Sequence, residues 1–376
     1  MFPLLLLLAA SPVVAADLPT GQIVAEVTCL ADPAESYALY LPKAYTPSRR
    51  WPIIFGFDPG GRGRNPVERY QAAAERYGFI IVGSNNSRNR SPETGRAVTA
   101  MANDATTRFS VDAKRVYSAG MSGGARVAVA VAMASPGIAG VIASSAGAPD
   151  GQPHKSFSFP IFMTAGTEDF NHLEMRQMDR ELSTPHRLAI FEGGHVWLPP
   201  TLAMEAVEWL ELQAMKARLK PQDPEEIENI FTKRLAAADA DASPEGKYSK
   251  LDAIVADFEG LRDVALVIRR AADLERDKEV RDALKRGRDE DDREWRALLD
   301  ADAAEANLAI ADERSNALAD LRDIWRRLSD QAKKPQDSPD RQLARRLLAL
   351  LGSSTTSTDP DYLKIIRQYQ PRRGPG

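Results

Sequence analysis

The sequence holds a single cysteine, Cys29, so no disulfide can form within the chain, and stability must come from core packing instead. It holds only four histidines, His154, His172, His186 and His195, which lie apart from one another. Neither a His-Glu-x-x-His run nor a pair of closely spaced cysteines occurs, so no metal or other cofactor is expected. Charge of one sign is not in excess either, since 49 Lys and Arg stand against 53 Asp and Glu, a formal net charge of -4. That balance offers no global basic field for nucleic acid or an anionic membrane surface. Beyond the first residues, no apolar run approaches the roughly 20 residues that a helical membrane span needs.

What is present begins with an apolar stretch over residues 1–8, which passes through Ala9 and Ala10 to the small residues Val14-Ala15-Ala16 before Asp17. This pattern reads as a secretory signal peptide over residues 1–16, and it predicts a secreted or periplasmic protein. Pro3 and Pro12 disfavour one continuous helix there. Cys29 lies too far beyond this stretch to be a lipidated mature end and reads as a buried strand residue. With 376 residues, 43% of them hydrophobic, two domains are expected.

From residue 22 to 219, short β-branched runs alternate with helical segments, the pattern of strands joined by crossover helices. Strands are expected at 22–29, 36–41, 51–57, 78–83, 115–119, 140–144, 160–165 and 187–191. The first two have no helix between them and predict an antiparallel pair at one edge. Helices are expected at 66–77, 95–109, 123–134, 171–182 and 201–217, each with apolar residues at three- and four-residue spacing. The fold class predicted is therefore α/β, an eight-stranded, mostly parallel sheet. The 146–159 connection is short and rich in Gly, Pro and Ser, which leaves no room for a large cap and predicts a site open to bulky substrates.

Composition shifts at Lys220-Pro221-Gln222-Asp223-Pro224, where the prolines break helix continuity, and the catalytic region is expected to span 17–219. The remainder is rich in Ala, Leu, Arg, Asp and Glu, with helical stripes such as Leu251, Ile254, Val255, Phe258, and Leu318, Leu321, Trp325, Leu328. Helices are expected at 231–235, 248–262, 264–286, 292–333, 340–350 and 362–369. They predict an all-α domain over 220–352, a bundle or an array of hairpins, although no repeat of about 34 residues is discernible. Residues 353–376 read as a Ser/Thr linker, a short helix and a disordered tail. A protein partner is the role such a charged helical region suggests.

The chemistry concentrates in Gly120-Met121-Ser122-Gly123-Gly124, between a strand and a helix. A serine on so sharp a turn is an exposed nucleophile, and glycines at 120 and 124 avoid collisions there. Its hydroxyl needs a base and an oxyanion site to be reactive. The acid is expected after a later strand, where Gly166 is followed by Thr167-Glu168-Asp169; Asp169 fits the Gly-x-x-Asp spacing better than Glu168. The base is expected last, at His195 in the turn Glu192-Gly193-Gly194-His195. Gly123 supplies one oxyanion N–H, and the loop Asp58-Pro59-Gly60-Gly61 is expected to supply a second through Gly60 or Gly61, Pro59 having no N–H.

Together with Val111-Asp112-Ala113-Lys114-Arg115-Val116-Tyr117 leading into the serine turn, the Gly-x-x-Asp turn and the late Gly-His make residues 20–219 resemble the polyhydroxybutyrate depolymerase and feruloyl esterase branch of the α/β-hydrolases. The resemblance implies hydrolysis of an acyl ester through an acyl-enzyme and specifies fold and reaction better than substrate; an ester with a bulky or aromatic acyl group is the partner expected of an uncapped site. One departure is that Asp58-Pro59 replaces the branch's usual His-Gly. That departure motivates a contrasting expectation, a catalytically weak binding or scaffold protein acting through its helical region. A serine peptidase is the third, since peptidases share the fold.

Overall fold

The structure, a computed structural model, describes residues 18–149, 151 and 154–370. The expected signal segment 1–16 and the tail after Gln370 lie outside the described residues. The strands are β1 (Ile23–Thr28), β2 (Ser36–Tyr40), β3 (Trp51–Phe57), β4 (Ile80–Ser84), β5 (Val111–Met121), β6 (Ile138–Ser144), β7 (Ile161–Gly166) and β8 (His186–Phe191). They form one eight-stranded sheet in the order β1-β2-β4-β3-β5-β6-β7-β8. β1 pairs antiparallel with β2, and β2 with β4, whereas β3 pairs in parallel with β4 and β5, and β6 with β5 and β7. The sheet is thus mostly parallel, with the antiparallel element at the edge where two strands follow without a helix.

Parallel strands need crossovers, and these cover both faces of the sheet. α1 (Arg64–Tyr77) and α5 (Pro200–Lys216) pack Val67, Tyr70, Ala206 and Leu210 against Ile54, Ile81 and Phe162. α2 (Thr94–Arg108), α3 (Gly123–Ala134) and α4 (His172–Glu181) bury Met101, Ala125, Val129 and Met178 against Phe55, Val116 and Val141. β5 starts four residues earlier than the sequence pattern indicates. Asp112 and Lys114 are polar and Ala113 and Lys114 are exposed, so between the buried Val111 and Val116 the extension shows no run of apolar residues. The described residues between β6 and β7 contain no helix.

By contacts the chain divides into two units. The first runs through Ala165 and adds Glu174–Phe191 and Val196–Arg281; the second comprises Gly166–Leu173, Glu192–His195 and the chain from Asp282 onward. In the first, α6 (Pro224–Asp239), α7 (Pro244–Phe258) and α8 (Ala265–Glu275) share a core with Leu212 and Met215 of α5, through Ile227, Ile230, Leu251, Ile254 and Phe258. α6 and α7 begin earlier than the sequence reading places them because Pro224 and Pro244 occupy the first helical turn, where a missing N–H does no harm. Asp223 and Ser243 cap them.

The second unit holds most of α9 (Lys278–Asn307), with α10 (Arg314–Ala332), α11 (Pro339–Ser354) and α12 (Pro360–Tyr369) around Leu321, Trp325, Ala344, Leu348, Tyr362 and Ile365. Two long helices expected from the sequence are each divided. One breaks at Arg276 and Asp277, where Asp277 accepts from Glu279 N at 2.7 Å, and the other between Asn307 and Arg314. Neither break carries proline or glycine, so helix-favouring composition runs through both without a stop signal. The 353–358 run gives its first two residues to α11. Thr355 Oγ1 then donates to Glu305 at 2.8 Å and Ser357 N to the same oxygen at 3.2 Å.

No helix among the described residues is long and apolar enough to cross a membrane. Cys29 is buried in the core, and burial with the nearby carboxylates Asp104 and Glu35 pushes its thiol up to about 12.

Candidate active site

Ser122 stands in the first unit between β5 and α3, with φ 54° and ψ -125°, a conformation that side-chain-bearing residues rarely adopt. Its N–H donates to Ser144 O at 2.8 Å, and its carbonyl accepts from Ala125 N at 2.9 Å and Arg126 N at 3.1 Å. The turn is fastened to β6 on one side and to α3 on the other. Close approach explains the glycines. A Cβ at Gly120 would strike the Gly124 carbonyl, and one at Gly124 would strike the carbonyl of Phe57. Gly123 is the first residue of α3, where N–H groups have no acceptor within their own helix and carry the positive end of its dipole. Directly over Gly123 lies the side-chain amide of Asn89, close enough that a Cβ there would collide with it.

The loop after β3 is organised by Asp58, whose side chain is buried. Its Oδ1 accepts from Gly60 N at 2.8 Å and Arg62 Nε at 3.0 Å, and its Oδ2 from Asn65 Nδ2 at 2.7 Å and Trp197 Nε1 at 3.0 Å. Gly61 N donates to the Asp58 carbonyl at 3.0 Å. Both amides expected to face an oxyanion are therefore donated to Asp58. Burial alone would raise the Asp58 pKa, but the donors from Trp197, Asn65, Gly60 and Arg62 overcome it and hold the carboxyl below its ordinary value. Asn89 N donates to Pro59 O at 2.9 Å, which tethers its segment to this loop. Asn65, Asn89 and Trp197 stand in no motif, and the fold brings them to this loop.

Asp169 and His195 belong to the second unit, on the two short segments that follow β7 and β8. Asp169 N donates to Gly166 O at 3.1 Å, and His172 N to Asp169 O at 2.9 Å, so the carboxylate sits on a tight turn into α4. The side chain is fully buried, and its Oδ1 meets His195 Nδ1 at 2.8 Å and accepts from Asn171 N at 2.9 Å. The Phe170 ring stacks on the imidazole, with centroids 3.9 Å apart and planes inclined at 27°. Glu168, the competing carboxylate, pairs with Arg345 Nη1 at 2.6 Å instead. Of the other histidines, His172 Nδ1 meets Gly166 O, His186 meets the carbonyls of Thr184 and Asp179, and His154 stacks on Phe157.

No protein-family model and no curated protein matches the chain. Solved structures do. A thermostable esterase is 17% identical over 50% of this chain and 61% of its own, with a TM-score of 0.38. A mutant of the feruloyl esterase module from Clostridium thermocellum, complexed with sinapinate, is 16% identical over 53% of this chain and 93% of its own, with a TM-score of 0.38. The esterase LipW from Mycobacterium marinum is 16% identical over 51% and 82%, with a TM-score of 0.41. Likeness at this level carries no residue roles to this chain.

Proposed function

We propose that the protein is an exported serine hydrolase that cleaves carboxylic esters through an acyl-enzyme, with Ser122 as nucleophile, His195 as base and Asp169 as acid. The observation that carries this reading is the Ser122 backbone, held outside the usual conformations by hydrogen bonds to β6 and α3. Strain of this kind collects at functional sites. The hydrogen bond of His195 Nδ1 to the buried Asp169 supports the acid–base assignment, and the chain order serine, aspartate, histidine joins the pair to Ser122.

In the mechanism, His195 Nε2 takes the Ser122 hydroxyl proton as Oγ attacks the ester carbonyl, and Asp169 stabilises the resulting imidazolium. The tetrahedral oxyanion is held by Gly123 N–H and the Asn89 amide, while Gly60 and Gly61 keep the Asp58 turn closed. Collapse expels the alcohol, which receives the proton from His195; water activated by the same histidine then releases the acid and frees Ser122. The connection between β6 and β7, without a helix among its described residues, suits a bulky or aromatic acyl group. Replacing Ser122→Ala is expected to abolish turnover of a short-chain aryl ester and labelling by a fluorophosphonate probe. Undiminished turnover in that variant refutes the assignment.

A second reading, a hydrolase-like binding module, draws on the donation of the Gly60 and Gly61 amides to Asp58. It predicts no turnover of aryl esters by the unsubstituted protein.

A further inference from the structure

The second unit joins two short segments to a helical core, and one buried cation sits where they meet. Arg346 of α11 is bracketed along the chain by Leu343 and Ala344 on one side of the Arg345-Arg346 pair and Leu347 and Leu348 on the other, and is only 2% exposed. Its Nε and Nη2 donate to Glu294 of α9 at 3.0 and 2.6 Å, and Nη2 also to Glu290 at 3.0 Å. Its remaining arm, Nη1, donates to the carbonyl of Thr167 at 2.7 Å. Arg345 beside it holds the Glu168 carboxylate at 2.6 Å. α11 therefore grips two successive residues immediately before Asp169.

Those residues are in turn bound to the segment that carries His195. Glu168 N donates to Gly193 O at 2.8 Å, Gly193 N to Thr167 Oγ1 at 3.3 Å, and Thr167 Oγ1 to Glu192 at 3.1 Å. A Cβ at Gly166 would strike the carbonyls of Gly193 and Gly194, so the two turns pack backbone to backbone. A desolvated arginine and carboxylate gain little net stability over apolar side chains of similar size. A planar fork that satisfies α9 and the Thr167 carbonyl together does impose one geometry on what it joins.

We propose that Arg346 is a positioning residue, and that α9 and α11 serve as a brace which fixes the Asp169 turn and, through it, the orientation of the His195 imidazole. The residues after Asp282 thereby have a role in the hydrolase reaction. The catalytic consequence rests on the proposed function, whereas the positioning of His195 can be measured without it.

The test uses the full-length protein and two variants. Arg346→Lys keeps a positive charge toward Glu294 but has no second arm for the Thr167 carbonyl. Leu321→Ala opens a cavity in the same helical core, which includes no residue of the Asp169 turn. The readout is the proton magnetic resonance of the His195 Nδ1 proton, assigned by its loss in Asp169→Asn. Its shift or disappearance in Arg346→Lys, with the proton unchanged in Leu321→Ala, supports the brace. An unchanged proton in Arg346→Lys, or an equal change in both variants, overturns it. In parallel, kcat for an aryl ester is expected to fall at least ten-fold in Arg346→Lys, with KM within about two-fold of the unsubstituted value. Loss of kcat without a change in the proton also overturns the proposal. An unsubstituted protein that neither turns over esters nor is labelled at Ser122 refutes the hydrolase reading and leaves the proton measurement to decide the brace.

Discussion

Replacing Ser122→Gly removes the reactive hydroxyl yet is expected to make the protein more stable than Ser122→Ala does. Both variants lose the hydroxyl, so their difference isolates the backbone. At φ 54° and ψ -125° an alanine keeps the crowding of Cβ against neighbouring carbonyl groups, strain of about 1–3 kcal/mol, which glycine relieves. Glycine in turn makes the unfolded chain more flexible, at a cost of about 0.5–1 kcal/mol. The difference leaves the glycine variant ahead by about 1 kcal/mol, roughly five-fold in the folding equilibrium. Urea unfolding followed by tryptophan fluorescence and circular dichroism measures it, provided the two variants unfold with the same slope. A glycine variant less stable than the alanine variant refutes the argument, because only the unfolded-state term would then remain.

Three further outcomes are expected. Asn89→Ala lowers kcat for an aryl ester by about 10²-fold with little change in KM, as loss of one oxyanion donor does; equal effects on labelling and binding would point to a structural role instead. Asp58 is held below its ordinary pKa, so its contribution to stability is complete above the unfolded carboxyl value and is lost as pH falls through the lower folded value. Acid unfolding should therefore lose a component in Asp58→Asn, seen as a flatter dependence of unfolding free energy on pH in that window. Cys29 is unreactive toward a thiol reagent in the folded protein and yields one equivalent per chain in denaturant, because the buried thiol resists ionisation.

Much of the fold was legible because its signals are local. Eight β-branched runs, their alternation with helices and the missing helix between β1 and β2 are written in neighbouring residues, and so is the Gly-x-Ser-x-Gly turn. In the helical half the apolar stripes were readable but the breaks were not. The turns at 276–277 and 308–313 carry no proline or glycine, and the second joins α9 to α10, which share the core around Leu321 and Trp325. The oxyanion loop illustrates the same limit. Two glycines beside a predicted strand end suggest available amides, but Gly60 N–H donates to the buried Asp58 carboxylate and Gly61 N–H to the Asp58 carbonyl, and no sequence rule reveals which acceptor an amide will find.

The sequence by itself determined the alternation of strands and helices, the glycine-flanked serine at the end of β5 and the candidate acid and base, since each depends on spacing along the chain. Tertiary structure alone brought Asp169, which the spacing already favoured over Glu168, to His195, laid Asn89 over Gly123 and carried Arg346 to the Thr167 carbonyl. These meetings join residues from 26 to 179 positions apart. Hydrogen bonding and close packing act over a few ångströms of space, and only the folded chain brings such residues that near.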